Sequence, residues 1–370
     1  MNVLSLVSYP FLPAKSGGQK GIALFYKYFS KYHQVTIVTI KKNDPVNAQG
    51  YELLNILPDS AFRYINPWIF FTLRKQIRIH HSTHLILEHP YYGWLGILLK
   101  KFCGVKLVLH SHNIEGNRWK SLGKWWWKIL WSYERFTHRQ ADFNFFIQDE
   151  DRTYAIKEFG LHPDCCLTVS FGTEVPEPIP LEKRISTRKL LHQQLQVPAD
   201  TLLLLFNGAF KYRPNLEALE NLLSRINPLL QVKNFPYQIL ILGLDVPESV
   251  SQIQHPGIRV LGFVEDLEHY LMGCQVFLNP VMGGGGIKTK LVEALAFGLN
   301  VVSTASGSIG VDPEICGDKL VVCPDADWRD FADGIFRMRD LESTTPMAFY
   351  DHFYWAKITE NAARFIEAPK

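Results

Sequence analysis

The densest chemistry in the chain lies between Val276 and Gly298. An apolar run, Val276-Phe-Leu-Asn279, leads to four glycines at 283–286 and then to Ile287-Lys288-Thr289-Lys290. Leu291, Val292, Leu295 and Ala296 follow at helical spacing, with Gly298 placed as a C-cap. The order is buried strand, glycine loop, helix, next strand. Glycines just ahead of a helix leave its first N–H groups uncovered, which makes an anion site. Lys288 and Lys290 sharpen that reading, because cations in a first helical turn oppose the macrodipole by roughly 0.3–1 kcal/mol each. A bound phosphate removes the conflict. The same residues also suit a flexible turn followed by two solvated lysines.

A second concentration is Val108-Leu-His110-Ser-His112-Asn-Ile-Glu115, at the end of a buried strand. Ligands bind at the carboxyl ends of parallel strands, and a histidine there offers a donor or acceptor near neutral pH. The alternative is two histidines that cap the strand through backbone bonds. Metal binding is not expected, since no third ligand stands nearby at suitable spacing. Gly17 and Gly18 follow the first strand and open a helix, where glycine lets backbone approach a phosphate or sugar.

The segment 276–304 resembles the donor-site motif of the retaining glycosyltransferases of family 4, which have the GT-B fold. Many members carry two glutamates seven residues apart. Glu293 matches the second, which in the family contacts the ribose of the donor nucleotide. The first would fall at Gly285, so this chain lacks it; a subset of the family has a small residue there followed by Ile-Lys, as in Gly286-Ile287-Lys288. The resemblance implies further roles. Gly17 and Gly18 would face the donor, and His112, with His110 in reserve, would lie by the donor sugar. In Phe206-Asn-Gly208-Ala-Phe-Lys211-Tyr-Arg213-Pro214, Lys211 or Arg213 would neutralise a diphosphate, although each is nearly as well read as solvated charge. Phe263 and Val264 would lie near the base. The chemistry implied is metal-independent transfer from a nucleotide diphospho-sugar, with no further cofactor. Lys288, the helix N-terminus and Lys211 or Arg213 would stabilise charge on the departing diphosphate, His112 would orient sugar or acceptor, and domain closure would exclude water. An epimerase of the same fold and a non-catalytic nucleotide-sugar-binding protein are the alternatives. The first lacks a visible carboxylate set, and the missing first glutamate suits the second.

These sites need a frame of alternating strands and helices, the pattern of parallel sheets with crossover helices. Strands are expected at Val3–Ser8, Val35–Ile40, Leu85–Glu88, Leu107–His110 and Phe143–Ile147, with helices at Gly21–Lys31, Tyr91–Phe102 and Lys124–Arg139. After the Pro-rich stretch 173–180 a second series follows: Leu202–Phe206, Leu216–Ile226, Gln238–Leu242, Arg259–Val264, the glycine-loop segment and Leu320–Cys323. The fold class is therefore α/β with two Rossmann-like domains. Residues 1–170 are expected to hold the acceptor and 171–345 the nucleotide sugar, with a single helix over 346–370 that by resemblance packs back on the first domain.

Composition suits this. The 370 residues are 47% hydrophobic and 20% charged, which is ordinary for globular domains. Six cysteines without a Cys-x-x-Cys pair read as reduced thiols of a cytosolic protein. No signal peptide is expected, and no apolar stretch approaches the ~20 residues of a membrane span. The net charge of +3 divides unevenly: residues 1–165 carry 21 Lys and Arg against 12 Asp and Glu. A basic front half calls for an anionic partner, and no nucleic-acid-binding motif accompanies it. Lys124-Trp125-Trp126-Trp127-Lys128 and Trp131 suggest an anionic membrane surface and a glycan or lipid-linked acceptor, with the enzyme peripheral at the inner face of the membrane. Trp127, Leu130 and Trp131 also stand at helical spacing and would serve equally to pack the helix on its sheet.

Overall fold

Short runs of Leu, Ile and Val become strands buried on both faces, as parallel sheets require. The computed structural model describes the 370 residues apart from Lys15, Gly285, Pro369 and Lys370. The chain divides into two units, Met1–Gly172 with Trp355–Lys370, and Thr173–Tyr354. The first holds β1 (Asn2–Val7), β2 (Gln34–Ile40), β3 (Glu52–Leu57), β4 (His84–Glu88), β5 (Lys106–Ser111), β6 (Phe143–Phe146) and β7 (Cys166–Thr168). They form one parallel sheet in the order β3-β2-β1-β4-β5-β6-β7. The second holds β8 (Leu202–Ala209), β9 (Tyr237–Leu244), β10 (Ile258–Gly262), β11 (Val276–Asn279), β12 (Asn300–Thr304) and β13 (Leu320–Cys323), in the parallel order β10-β9-β8-β11-β12-β13. In each sheet the winding reverses once, at β1/β4 and at β8/β11, and such switch points open a crevice at the carboxyl ends of the strands.

In the first unit, Leu4, Leu6, Leu85, Leu87, Leu107 and Leu109 pack on the helices Ile69–Ile79 and Gly93–Cys103. The helices Gly17–Phe29 and Trp355–Glu367 pack on each other, and Phe365 meets Phe143 and Phe145 of β6. Helix Gly17–Phe29 begins earlier than its apolar periodicity indicates, because Ser16 caps it and Gln19 completes a capping box.

The structure corrects the reading of 346–370 as one helix. Tyr354 takes an extended backbone, so Met347–Phe353 is a helix of the second unit and Trp355–Glu367 a helix of the first. Helix Leu181–Leu195 was not foreseen for a different reason. Its buried face carries Arg184, Thr187 and His192 beside Leu191 and Leu195, which erases the apolar period. Two terminal nitrogens of Arg184 find partners, donating to the carbonyls of Gly298 and, at 2.8 Å, of Cys274, while its Nε is left without one. His192 Nε2 lies 2.9 Å from the Thr201 carbonyl.

Candidate functional site

In the second unit the site is assembled at the switch point β8/β11. Asn279 closes β11 by donating from Nδ2 to Ser303 Oγ and the Gly307 carbonyl, both at 2.9 Å, which ties the start of the glycine loop to β12. Gly284 and Gly286 hold φ of +82° and +70°, values that suit glycine. A Cβ on Gly284 would stand 2.5 Å from Tyr212 Oη, so the loop lies hard against the 210–215 turn. Gly285, where the family's first glutamate would fall, lies outside the described residues. Beyond the loop, Ile287 abuts Gly310, whose Cβ would come within 3.2 Å of it, and Thr289–Ala296 is helical.

The two lysines offset their conflict with this helix through contacts inside the unit. Lys288 is the N-cap residue, and its Nζ donates to the carbonyls of Gly284 at 2.8 Å and Gly286 at 3.0 Å, binding the loop into a ring. Burial lowers the pKa of its ammonium. Lys290 Nζ reaches the end of β8, donating to the Asn207 carbonyl at 2.7 Å and Asn215 Oδ1 at 2.9 Å. Gly208 leaves the ammonium little spare room, since a Cβ there would come 3.0 Å from it. Burial pulls Lys290 down to about 8, against the attraction of the half-buried Glu293. The site is thus a cationic glycine ring at the end of β11, braced from β8.

Other expected donor contacts are less integrated. The side chains of Lys211 and Arg213 are 81% and 87% exposed, and pair with Asp245 at 2.8 Å and Glu217 at 2.6 Å. They have the geometry of solvated surface cations. Exposed Phe263 and half-buried Val264 follow Gly262, whose φ is +67°, at the end of β10, two strands from β8.

In the first unit the site again gathers at the switch point, where Glu88 ends β4 and pairs in register with His110 of β5. Glu88 is fully buried. Its Oε1 accepts from Tyr26 Oη at 2.6 Å and lies 3.1 Å from His110 Nδ1, while Oε2 lies 2.5 Å from His112 Nε2. Tyr26 is in turn joined to Ser5 of β1. Burial alone would push the Glu88 carboxyl up, but His110 and His112 outweigh it and hold it well below the usual carboxylate range. The ionised carboxylate stands where it can accept from His112 Nε2 and so orient the ring. His110 is interior, packed on Phe25; His112, beyond the strand, keeps some exposure.

The ring of His89 continues this array 4.5 Å from that of His112. It sits at φ +68°, a left-handed conformation rare for a non-glycine residue. Tyr9 Oη holds its Nε2 at 3.0 Å, and Glu115 Oε1 lies 3.4 Å from Nδ1. Burial would raise Glu115, but His89, Tyr91 and Arg118 hold it to about 2. Sequence reasoning missed Glu88 and His89. The available signal was their place at the carboxyl end of an apolar strand. The search for a third metal ligand also stopped short of Glu88: its carboxylate and the two histidine nitrogens lie within 4.8 Å of one another. Gly17 and Gly18 occupy the first turn of their helix, and a Cβ on Gly18 would meet nothing within 4 Å, so this backbone is open.

Two family profiles cover both units. "Glycosyltransferase Family 4" matches residues 16–173 and "Glycosyl transferases group 1" residues 201–340. The chain belongs to glycosyltransferase family 4. Its fold is GT-B, a form shared across the family 4 chain's full length with solved structures. Anabaena HepE in complex with UDP and glucose superposes with a TM-score of 0.69 at 13% identity, over 99% of each chain. Sucrose-phosphate synthase of Thermosynechococcus elongatus superposes with a TM-score of 0.70 at 16% identity, over 99% of this chain and 98% of that one. In sequence, an uncharacterized 44.6 kDa protein in the cps region of Klebsiella pneumoniae is 25% identical over 266 residues. That match takes in 68% of this family 4 chain and 64% of the relative.

Proposed function

We propose that this chain is a retaining, metal-independent glycosyltransferase that moves a sugar from a nucleotide diphospho-sugar to an acceptor hydroxyl in cell-surface polysaccharide or glycolipid synthesis. The observation that carries the reading is the glycine ring closed by Lys288 at the end of β11, one residue before the helix Thr289–Ala296. Its carbonyls already hold the ammonium, so the loop is shaped before a ligand arrives. A diphosphate would take the outward N–H groups and the remaining donor capacity of Lys288, and the charge on the leaving diphosphate would be stabilised by a preorganised cation. Glu293, on the helix, would hold the ribose. Lys211 and Arg213 would reach a diphosphate only by leaving Asp245 and Glu217. His112, half-buried just beyond β5 and held by Glu88, would orient the donor sugar or the incoming hydroxyl.

The UDP bound to HepE and the cps-region location of the Klebsiella relative support a uridine-nucleotide donor and a cell-surface product. The acceptor on this reading is a glycan or lipid-linked alcohol, and the enzyme works at the inner face of a membrane. Among the described residues no helix is long and apolar enough to cross one. The test is a thermal-shift panel of nucleotide sugars. A donor at 100 times its dissociation constant should stabilise by about 2.7 kcal/mol, and no stabilisation by any of them would overturn the reading.

A second reading has one observation in its favour. Glu88 and Glu115, with the ring of His89 beside that of His112, form a carboxylate–imidazole set of the kind a sugar-nucleotide epimerase needs. Epimerised donor after incubation without acceptor would favour it over transfer.

A further inference from the structure

His110 and His112 stand two residues apart where β5 ends, and in extended chain alternate side chains fall on one side. Two imidazoles so placed can share one metal ion if a third ligand arrives from elsewhere. The pairing of β4 with β5 brings it, since Glu88, 22 residues before His110, turns one carboxylate oxygen to each ring. One ligand atom from each of the three side chains lies within 4.8 Å of the others.

The spacing is close to what a tetrahedral ion needs. Bonds of about 2.0–2.2 Å to nitrogen and carboxylate oxygen set neighbouring ligand atoms roughly 3.3 Å apart. His110 Nδ1 already stands 3.1 Å from Glu88 Oε1, whereas His112 Nε2 stands 2.5 Å from Oε2. Of these two contacts only the second has to open, by under about 1 Å. His112 is the member that lies beyond the strand and keeps some exposure, so it supplies both the movement and the way in. Behind the carboxylate, Tyr26 Oη donates to Oε1 at 2.6 Å and is joined to Ser5, the kind of outer support that orients a metal-binding carboxylate.

One buried atom shows that hydrogen bonds to Glu88 leave the cluster incomplete. His110 Nε2 has no partner among the described residues, and the ring lies against Phe25 and Phe145. A metal on Nδ1 leaves the ring proton on Nε2, beside aromatic systems that accept an N–H weakly and offer nothing to a bare nitrogen. The ligand set also selects the ion. Magnesium and calcium take oxygen, while two imidazoles and a carboxylate suit zinc and its transition-metal neighbours. The burial of Glu88 and His110, at 2% and 3% exposure, favours a four-coordinate ion over an octahedral one that needs three more ligands.

We propose that Glu88, His110 and His112 form a zinc site with its fourth position left to water, and that zinc bound there withdraws His112 from the sugar and switches the enzyme off. The inhibitory consequence rests on the transferase reading above; the metal site does not.

Titration of the full chain with zinc chloride, read by equilibrium dialysis and thermal unfolding, tests it. The parent should bind zinc and unfold at a higher temperature, and magnesium chloride should do neither. Glu88→Gln and His112→Ala should each weaken zinc binding by about tenfold or more, and Tyr26→Phe, which removes only the O–H behind Glu88, by about tenfold. His162→Ala, at an exposed pair with Asp164 of the same unit, should leave it unchanged. Undiminished zinc binding by both Glu88→Gln and His112→Ala, or its loss in His162→Ala alone, would overturn the site. Tyr26→Phe and the half-buried His112→Ala keep the test open if Glu88→Gln fails to fold. Turnover of the zinc-loaded parent should fall to that of His112→Ala and return with EDTA, and full turnover with zinc bound would overturn the switch. Neither donor nor acceptor enters the titration, so it stands if no nucleotide sugar stabilises the protein. Failure to bind zinc, with donor stabilisation intact, would sink the metal site and leave the transferase in place.

Discussion

Glu88 holds the ring of His112 at 2.5 Å, and that contact yields the sharpest prediction at the scale of single residues. His112→Ala should cut turnover by about tenfold or more with little change in donor affinity, because its contact matters mainly in the transition state. Glu88→Gln should reduce turnover in the same way, since a neutral amide lacks the charge that holds the His112 ring. His110→Ala serves as the contrast: its ring is buried on Phe25, and losing it should cost about 1–3 kcal/mol of stability while folded molecules keep their turnover. Loss of turnover in the His110 variant alone, with His112 silent, would reverse the assignment. In the second unit, Lys288→Ala and Glu293→Ala should each weaken donor binding or transfer about tenfold, at 1.4 kcal/mol per decade; full affinity in both would remove the donor site from this loop. Lys290 carries a pH signature. Its folded value of about 8 lies below its ordinary 10.5, so between those limits the unfolded chain binds more protons than the native one. Its contribution to stability therefore rises with pH across that window. Lys290→Met should abolish that rise in denaturant midpoints measured from pH 8 upward, and an unchanged profile would contradict the burial of its ammonium.

At the scale of elements, the strands that place both sites were legible because central parallel strands are continuous apolar runs. Val3–Ser8, Leu85–Glu88 and Leu107–His110 each match an observed strand to within a residue or two. The glycine loop and His112 were legible through residue type and order. What was not legible depends on partners far away in sequence. Glu88 joins His112 only once β4 and β5 lie in register, and the tie from Lys290 to Asn207 spans the switch point. Edge strands β3 and β7 are partly exposed and carry no continuous apolar run. Helix Leu181–Leu195 hid for the same long-range reason, its buried arginine finding its partners in the distant carbonyls of Cys274 and Gly298. Arg184→Ala should leave both carbonyls buried without a donor and lower the stability of the second unit by about 2–4 kcal/mol. Chemical denaturation followed by a second-unit probe reads this, and a change below about 0.5 kcal/mol would show that the carbonyls find water.

For the whole molecule, the membership of Trp355–Lys370 in the first unit has a consequence in time as well as in space. Ile358, Ala362, Ala363 and Ile366 are buried, Trp355 meets Phe171, and Phe365 meets two phenylalanines of β6. A ribosome that has made residues 1–172 has released seven strands, one of whose covering helices does not yet exist. The segment Thr173–Tyr354, continuous in the chain, is complete before that helix emerges. Expressed alone, residues 1–172 should therefore be prone to aggregate, whereas 173–354 should fold cooperatively, and adding 355–370 as a separate peptide should recover soluble first unit. A soluble, cooperatively unfolding 1–172 fragment would show that the last helix is dispensable. The order of maturation therefore runs against the order of synthesis: the N-terminal half waits, exposed to chaperones and proteases, for the helix Trp355–Glu367 made long after it.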